Sequence, residues 1–190
     1  EDPIDINVGL SQRDAGFAAT QYLIGLGHTR IGFIVAHLDS RARYRMSGYS
    51  DAMQAAGLSV EGRVATLDQQ SSVATGTALV GTLLDRGTDL EALFCCDDNL
   101  ALGALFECQR RGIDVPGRMS IIGFNDLEFA ACAYPSISSV TTPRYEMGRL
   151  SAEIVLKYVE TGERPANPRI DVGYSIQQRE STARRGGSRS

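Results

Sequence analysis

The sequence predicts an α/β fold built on a doubly wound, mainly parallel sheet. Three observations carry that prediction. Strand-length apolar runs alternate with segments of helical periodicity. The runs, such as "RIGFIVA" (residues 30–36) and "ALFCC" (residues 92–96), are apolar almost throughout, as strands covered on both faces are. Each of them also stops on polar side chains, Asp97-Asp98-Asn99 after the second and Asn125-Asp126 after "SIIGF" (residues 120–124).

Taken in order, Ser11-Gln12-Arg13-Asp14 is a capping-box signature, and it opens a helix with Ala19, Tyr22, Leu23 and Leu26 on its apolar side. Gly27 is the natural stop. A strand over residues 30–36 follows, then a second helix capped by Asp39 or Ser40 and closed at Gly57. "RVATL" (residues 63–67) is a weaker strand. Ser71 and Ser72 lead into a helix carrying Leu79, Leu83 and Leu84 that ends near Gly87. After the third strand, "ALFCC", a helix with Ala101, Leu102, Leu105 and Phe106 runs to Gly112, and "SIIGF" is the fourth strand. "YPSISSVTTP" contains an extended piece, and Thr142 with Pro143 at the first helical position starts a further helix with Met147, Leu150, Ile154 and Tyr158 on one face. "RIDVGYSIQQRE" alternates like one half-exposed edge strand.

The chain has 190 residues, enough for one sizeable core, and its hydrophobic (43%) and charged (22%) fractions are those of a soluble globular protein. A formal net charge of -4 gives no sign of a nucleic-acid surface on this segment. Cys95, Cys96, Cys108 and Cys132 lack C-x-x-C spacing, and with only His28 and His37 present no zinc-type cluster assembles. No metal or other cofactor is expected. The thiols read as reduced and the compartment as cytoplasmic. No run reaches the length of a membrane span, and "EDPIDINVGL" has no signal-peptide pattern. It begins almost inside a strand, which reads as a fragment. The tail "ARRGGSRS" has no apolar anchor and is expected to be disordered over residues 183–190.

In an open parallel sheet, ligands bind where the strands end. The polar groups there are His37, Asp39, Arg41, Arg43 and Arg45; then Asp68 to Ser72; Asp97 to Asn99; and Asn125 with Asp126. Asp, Asn and Ser at such junctions are also ordinary helix caps, so either role is open for each one, while four junctions on one rim favour a binding cleft. Glycine-rich dinucleotide and phosphate loops and the G-x-S-x-G elbow are absent. No catalytic residue is assigned, although an acid pair at Asp97 and Asp98 would be the place to look in a small α/β enzyme.

"YLIGLGHTRIGFI", Arg45 to Tyr49 as R-x-x-G-Y, "LFCCDDNLALGAL", "GIDVPGRMSIIGFND", "YPSISSVTTPRYEMGRLSAE" and "ESTARR" resemble, in order and over nearly the whole chain, the LacI (lactose and purine repressor-like) family of bacterial transcription regulators. "AHLDSRARYRMSGY", "GFNDLEFA" and "TTPRYEMGR" are also similar to its gluconate-utilisation repressor branch. The resemblance implies a two-lobed fold like periplasmic binding proteins of type I, represented here mainly by the C-terminal lobe. It divides the chain into an effector-binding lobe (residues 11–125), a crossover and returning N-terminal-lobe segment (126–162) and a final strand of the C-terminal lobe (163–182). The helix-turn-helix that would bind operator DNA, and the opening strands of the other lobe, lie outside the chain.

By the same resemblance, the effector site comprises Asp39, Arg41, Arg45, Ser71, Asp97 and Asn125, with Arg45 as the clamp. Two departures matter. Asn125 stands where most members have Asp, and Ser71 lies near the position of an aromatic platform. A cleft short of aromatic faces and edged by arginines suits an anionic effector, a sugar acid or sugar phosphate, better than a neutral sugar. A homodimer is implied, paired through Leu102, Cys132, Ala133 and Tyr134, with no membrane partner. The rival with the same fold is a periplasmic sugar-binding protein of a transporter.

Overall fold

The computed structural model describes residues 6–186. Its elements are β1 (Asn7–Gly9), α1 (Gln12–Gly25), β2 (Ile31–Val35), α2 (Ser40–Ala55), β3 (Val64–Thr66), α3 (Val73–Asp85) and β4 (Ala92–Cys95). They continue with α4 (Asp98–Arg110), β5 (Ser120–Asn125), α5 (Glu128–Cys132), β6 (Ser138–Thr141), α6 (Arg144–Thr161), β7 (Arg169–Asp171) and β8 (Ser175–Gln177).

Six strands form the main sheet in the order β3-β2-β4-β5-β6-β8, parallel except for β8, which runs antiparallel to β6. From β2 the chain steps outward to β3, then returns across β2 to β4 and continues the other way to β5. Right-handed crossovers therefore put α2 on one face and α3 and α4 on the other. The observed pairing agrees: α1 packs on α2 and α3 on α4. β2 and β4 are buried at every position, which is why their sequences are apolar without alternation. Phe33 anchors the interior, stacked on Tyr49 at 5.2 Å and edge-on to Phe94 at 5.1 Å, and the Tyr49 hydroxyl donates to the Ile31 carbonyl.

Each helix pair is held closer than side chains would allow. A Cβ on Gly103 would stand 2.7 Å from the Thr77 nitrogen and nearer still to the Val73 carbonyl; one on Gly76 would meet the Cα of Leu100 at 2.7 Å. Across the sheet, a Cβ on Gly16 would lie 2.5 Å from the Arg45 carbonyl oxygen. In both pairs two backbones touch, so these glycines set how near the helices approach.

The capping sequences act as expected. Ser11, Asp39, Ser72 and Asp97 each accept a hydrogen bond from the backbone amide three residues on. Asp98, adjacent to Asp97, does something else. It is fully buried, and its carboxylate accepts from the Ser139 hydroxyl (2.6 Å) and the Leu127 amide (2.7 Å). The same hydroxyl accepts from the Asp126 amide at 3.1 Å. Asp98 thus ties the start of α4 to β6 and to the turn after β5. That turn needs holding: Asn125 (φ 99) and Asp126 (φ 53) both sit in the left-handed region that non-glycine residues avoid. Burial pushes the Asp98 carboxyl up to about 6, with the Asp126 and Asp97 charges adding to it, while the Ser139 and Leu127 bonds pull the other way.

Several sequence expectations change. "RIDVGYSIQQRE" is not one strand. β7 pairs with β1 in a separate two-stranded parallel sheet, and β8 joins the edge of the main sheet. The break is a turn at Gly173 (φ 71), whose amide is held by the Asp171 carboxylate at 2.8 Å. The crossover also comes later than residue 126, because β6 still belongs to the main sheet. Pro143 is the residue before α6 rather than its first residue. The short helix α5 had no counterpart in the sequence reading. Residues 183–186 are tied down, contrary to the expected disorder: His28 Nε2 bonds the Ala183 carbonyl (3.0 Å), the Arg185 amide donates to Leu26, and the Arg185 guanidinium pairs with buried Glu91 at 2.5 Å. The rest of that tail lies outside the described residues. Met147, Leu150 and Ile154 do share a half-buried face of α6, but no α6 residue is fully buried, and Val155, Leu156 and Val159 are exposed.

Two measurements check this packing. Gly103→Ala should lower the urea midpoint at unchanged slope, by about 1–3 kcal/mol of stability from overpacking; an unchanged midpoint would show that α3 and α4 have room to part. Asp98 tests the pH dependence. Its folded-state value lies above the ordinary one, so the folded chain binds this proton more tightly and the group subtracts stability above pH about 6. That penalty is relieved as pH falls from about 6 towards about 4. Asp98→Asn removes the titration, so its stability relative to the parent should decline on the order of 1–2 kcal/mol between about pH 7.5 and about pH 4.5. A pH-independent difference would contradict the assignment.

Candidate functional site

The direction of chain travel reverses between β2 and β4, neighbours in the sheet. After β2 the chain turns to one side into α2, and after β4 it turns to the other into α4. Their carboxyl ends therefore leave a crevice, the topological switch point where open α/β sheets take ligands. Arg45, one and a half turns into α2, spans that crevice. Its Nε donates to the Gln12 Oε1 at 2.7 Å, its Nη1 donates to the Cys96 carbonyl at 2.6 Å, and the guanidinium lies 3.8 Å over the Phe124 ring. Four elements thus meet on one side chain: α1 through Gln12, α2 through Arg45, β4 through Cys96 and β5 through Phe124.

The electrostatics of this group are unusual. Arg45 is 9% exposed, yet the groups bonded to it are an amide oxygen, a carbonyl oxygen and, at 4.0 Å, the Cys96 sulfur. Burial pushes the Cys96 thiol up to about 11, so it brings no negative charge near neutral pH. Burial likewise lowers the Arg45 pKa, opposed by Cys96 and Asp97, but a guanidinium keeps its proton at any physiological pH. Among the described residues no carboxylate is bonded to it. The Asp39 and Asp97 charges act on Arg45 through space, but burying a cation that no carboxylate touches is still costly, and an anion that reached it would offset part of that cost.

Of the other expected site residues, Asp39 and Asp97 interact electrostatically with Arg45, and Asn125 follows Phe124 at the end of β5. Asp39 caps α2 through the Ala42 amide (2.8 Å) and pairs at 3.4 Å with the exposed Arg41. Burial pushes the Asp39 carboxyl up, but that bond and the Arg41 and Arg45 charges outweigh it and hold it below the usual range. Asp97 caps α4 through Leu100 at 3.1 Å. Asn125 ends β5, its Oδ1 accepting from the Thr142 hydroxyl (3.3 Å) and its carbonyl from Arg144 (3.0 Å). The Arg41 side chain is largely exposed, although its charge acts on Arg45. Ser71, before α3, has a buried hydroxyl oxygen with no hydrogen-bond partner among the described residues. Arg43 turns away, donating to the Leu38 carbonyl at 2.9 Å, and His37 pairs at the exposed end of β2 with Asp68 at 3.1 Å.

Two participants escaped the sequence reading. Gln12 looked like part of a capping box, of which the Ser11-to-Asp14 bond is the half that forms. Phe124 looked like core, and its face under Arg45 has no local sequence signal. The acid pair at the start of α4 does not assemble, because one carboxylate caps the helix and the other is buried against Ser139. Among the described residues no group of three or more His, Cys, Asp or Glu is placed to hold a metal, and no helix is long and apolar enough to cross a membrane.

On the surface beside α4, Phe106 is 48% and Tyr134 81% exposed. Gln109 donates to the Tyr134 carbonyl at 2.8 Å, which fixes the Cys132–Tyr134 loop beside the helix. Cys132 is exposed, Ala133 half-buried, and Leu102 half-buried against the core.

The fold and crevice have known counterparts. Residues 20–182 match the family described as periplasmic binding protein-like domain. The chain is 39% identical, over 92% of its length, to the HTH-type transcriptional regulator GntR of Pseudomonas aeruginosa, and spans about half (51%) of that relative. A crystal structure of the transcription regulator GntR from Chromobacterium violaceum superposes with a TM-score of 0.91 at 41% identity, covering 96% of this chain and 67% of that one. A sugar-binding LacI-family regulator from Escherichia coli, complexed with phosphate, gives 0.83 at 30% identity over 92% of this chain and 62% of that one. With this sheet order, this switch point and these relatives, the chain belongs to the periplasmic binding protein-like domain family, in the LacI-type branch of transcription regulators.

Proposed function

We propose that the chain is the effector-binding and dimerisation region of a DNA-binding transcription regulator, a repressor, that senses a small sugar acid of the gluconate type. The observation that carries the anionic reading is the buried Arg45 guanidinium at the switch point, bonded only to neutral groups. A carboxylate is the natural complement, since it accepts two parallel guanidinium N–H bonds, and Arg45 Nη2 is not used by any protein bond among the described residues. The hydroxyls of a sugar acid would be met by Asp39, Asp97 and Asn125, and Arg41 and Ser71 would act at the margin. The sugar-binding LacI-family relative from E. coli, whose structure is a complex with phosphate, supports an anionic reading.

The chain spans about half of its curated relatives, so operator binding would reside in an N-terminal helix-turn-helix outside it, and the working compartment would be the cytoplasm. Three segments join the main sheet to the β1–β7 sheet: residues 10–11, 142–143 and 172–174. Arg45 reaches the first through Gln12, and Asn125 reaches the second through Thr142 and Arg144. Tyr174, in the third, donates to the Asp14 carbonyl in α1 at 3.1 Å. An effector that draws these groups together would favour one arrangement of the lobes over another, a population shift set by its differential affinity. Leu102, Cys132, Ala133 and Tyr134, joined by Phe106, would form the homodimer contact.

Calorimetry on the full-length protein should show gluconate binding and much weaker binding of glucose. Arg45→Met should weaken gluconate on the order of 100-fold, the worth of a charge-assisted bidentate pair. Tighter binding of the neutral sugar would end the anionic reading. In light scattering the protein should be a dimer, and Phe106→Asp with Tyr134→Glu should shift it to monomer; a dimer that survives both changes would place the interface elsewhere.

A further inference from the structure

Gln12 occupies the first position of α1, immediately after the segment that leads from β1, and is half-buried. Its Oε1 is the acceptor for Arg45 Nε. The same helix turn touches Arg45 a second time, because Gly16 packs directly on the Arg45 backbone. The first two turns of α1 therefore fix both the backbone and the guanidinium of Arg45. A carboxylate is the commoner partner for an arginine so deeply placed. Here the acceptor is an amide of the same shape with no charge.

We infer that Gln12 is a positioning residue that determines charge specificity: its neutral carboxamide aims the Arg45 guanidinium across the crevice without cancelling its charge, so the site selects an anion over the neutral polyol of the same shape. The inference rests on the sugar-acid reading of the same site and goes beyond it, since it names the residue that keeps the cation available. The carboxylates nearest Arg45, Asp39 and Asp97, act on it through space, and neither forms a bond to it among the described residues. Asp39 caps α2 and pairs with Arg41, and Asp97 caps α4. The Phe124 face beneath the guanidinium supplies attraction without a formal charge. Glutamate at position 12 would close an ion pair with Arg45 at the distance already present, and a ligand carboxylate would then meet a neutralised partner.

The test uses gluconate and glucitol, which differ in whether the terminal carbon is a carboxylate or a hydroxymethyl group. Both are titrated calorimetrically into the full-length protein and its Gln12→Glu and Gln12→Ala variants, with thermal melts to verify folding. An acidic residue in the first turn of a helix is favourable, so Gln12→Glu is expected to fold. Gln12→Ala should weaken gluconate about 10-fold by freeing the guanidinium, yet keep the preference for gluconate over glucitol. Gln12→Glu should weaken gluconate on the order of 100-fold, more than alanine does, and collapse that preference. A residue that merely braced Arg45 would behave the other way round, with glutamate, which retains the acceptor, milder than alanine; that ranking overturns the inference and leaves the sugar-acid reading standing. Parent protein that binds neither compound, nor any other sugar acid, removes the sugar-acid reading itself and the inference with it.

Discussion

The site depends on one interaction that is kept incomplete. A guanidinium is carried into the sheet's crevice, laid on an aromatic face and given two neutral acceptors, while the Asp39 and Asp97 carboxylates act on it only through space. Left alone, such a charge destabilises the fold. The surrounding structure explains how it is tolerated: the Gly16 and Gly48 contacts fix α1 against α2, and the Cys96 carbonyl is held at the end of a fully buried strand. The contacts that make the α/β core rigid are also the ones that hold the buried guanidinium at the strand ends.

A second constraint lies beside it. The turn after β5 stays in an unfavourable backbone region because buried Asp98, Ser139, Thr141 and Arg179 hold it from one side and Arg144 from the other. Strain of this kind, about 1–3 kcal/mol per residue, survives only where neighbours over-determine it. What it does here is join the Asn125 side chain to Thr142, at the passage into α6. The residues proposed to feel the ligand and the segments that join the two sheets are thus one hydrogen bond apart.

Much of this was legible in the sequence because the signals are local. Unbroken apolar runs marked β2 and β4, and Ser11, Asp39, Ser72 and Asp97 marked helix starts through a rule that spans three residues. What was not legible depended on pairing. β7 and β8 share one alternating pattern, and only strand partners assign them to different sheets. Asp97 and Asp98 look equivalent on paper, but Asp97 is still in extended backbone and folds its carboxylate back onto the helix start, while Asp98, the first helical residue, reaches Ser139. Arg43 and Arg45 were indistinguishable by composition, yet one bonds a loop carbonyl at the surface and the other is buried. The tail failed for the same reason, since its anchors, Leu26, His28 and Glu91, lie far away in sequence. The exposed apolar side of α6 accords with a chain that covers about half of its relatives.

Whether Arg45 is held ready for a negative charge can be seen in a crystal structure of the full-length protein grown with gluconate. Carboxylate oxygens are expected within about 3 Å of the Arg45 guanidinium, with Gln12 and the Cys96 carbonyl still in place. A ligand bound with its hydroxyls towards Arg45 and its carboxylate in solvent would show that this guanidinium does not select for charge.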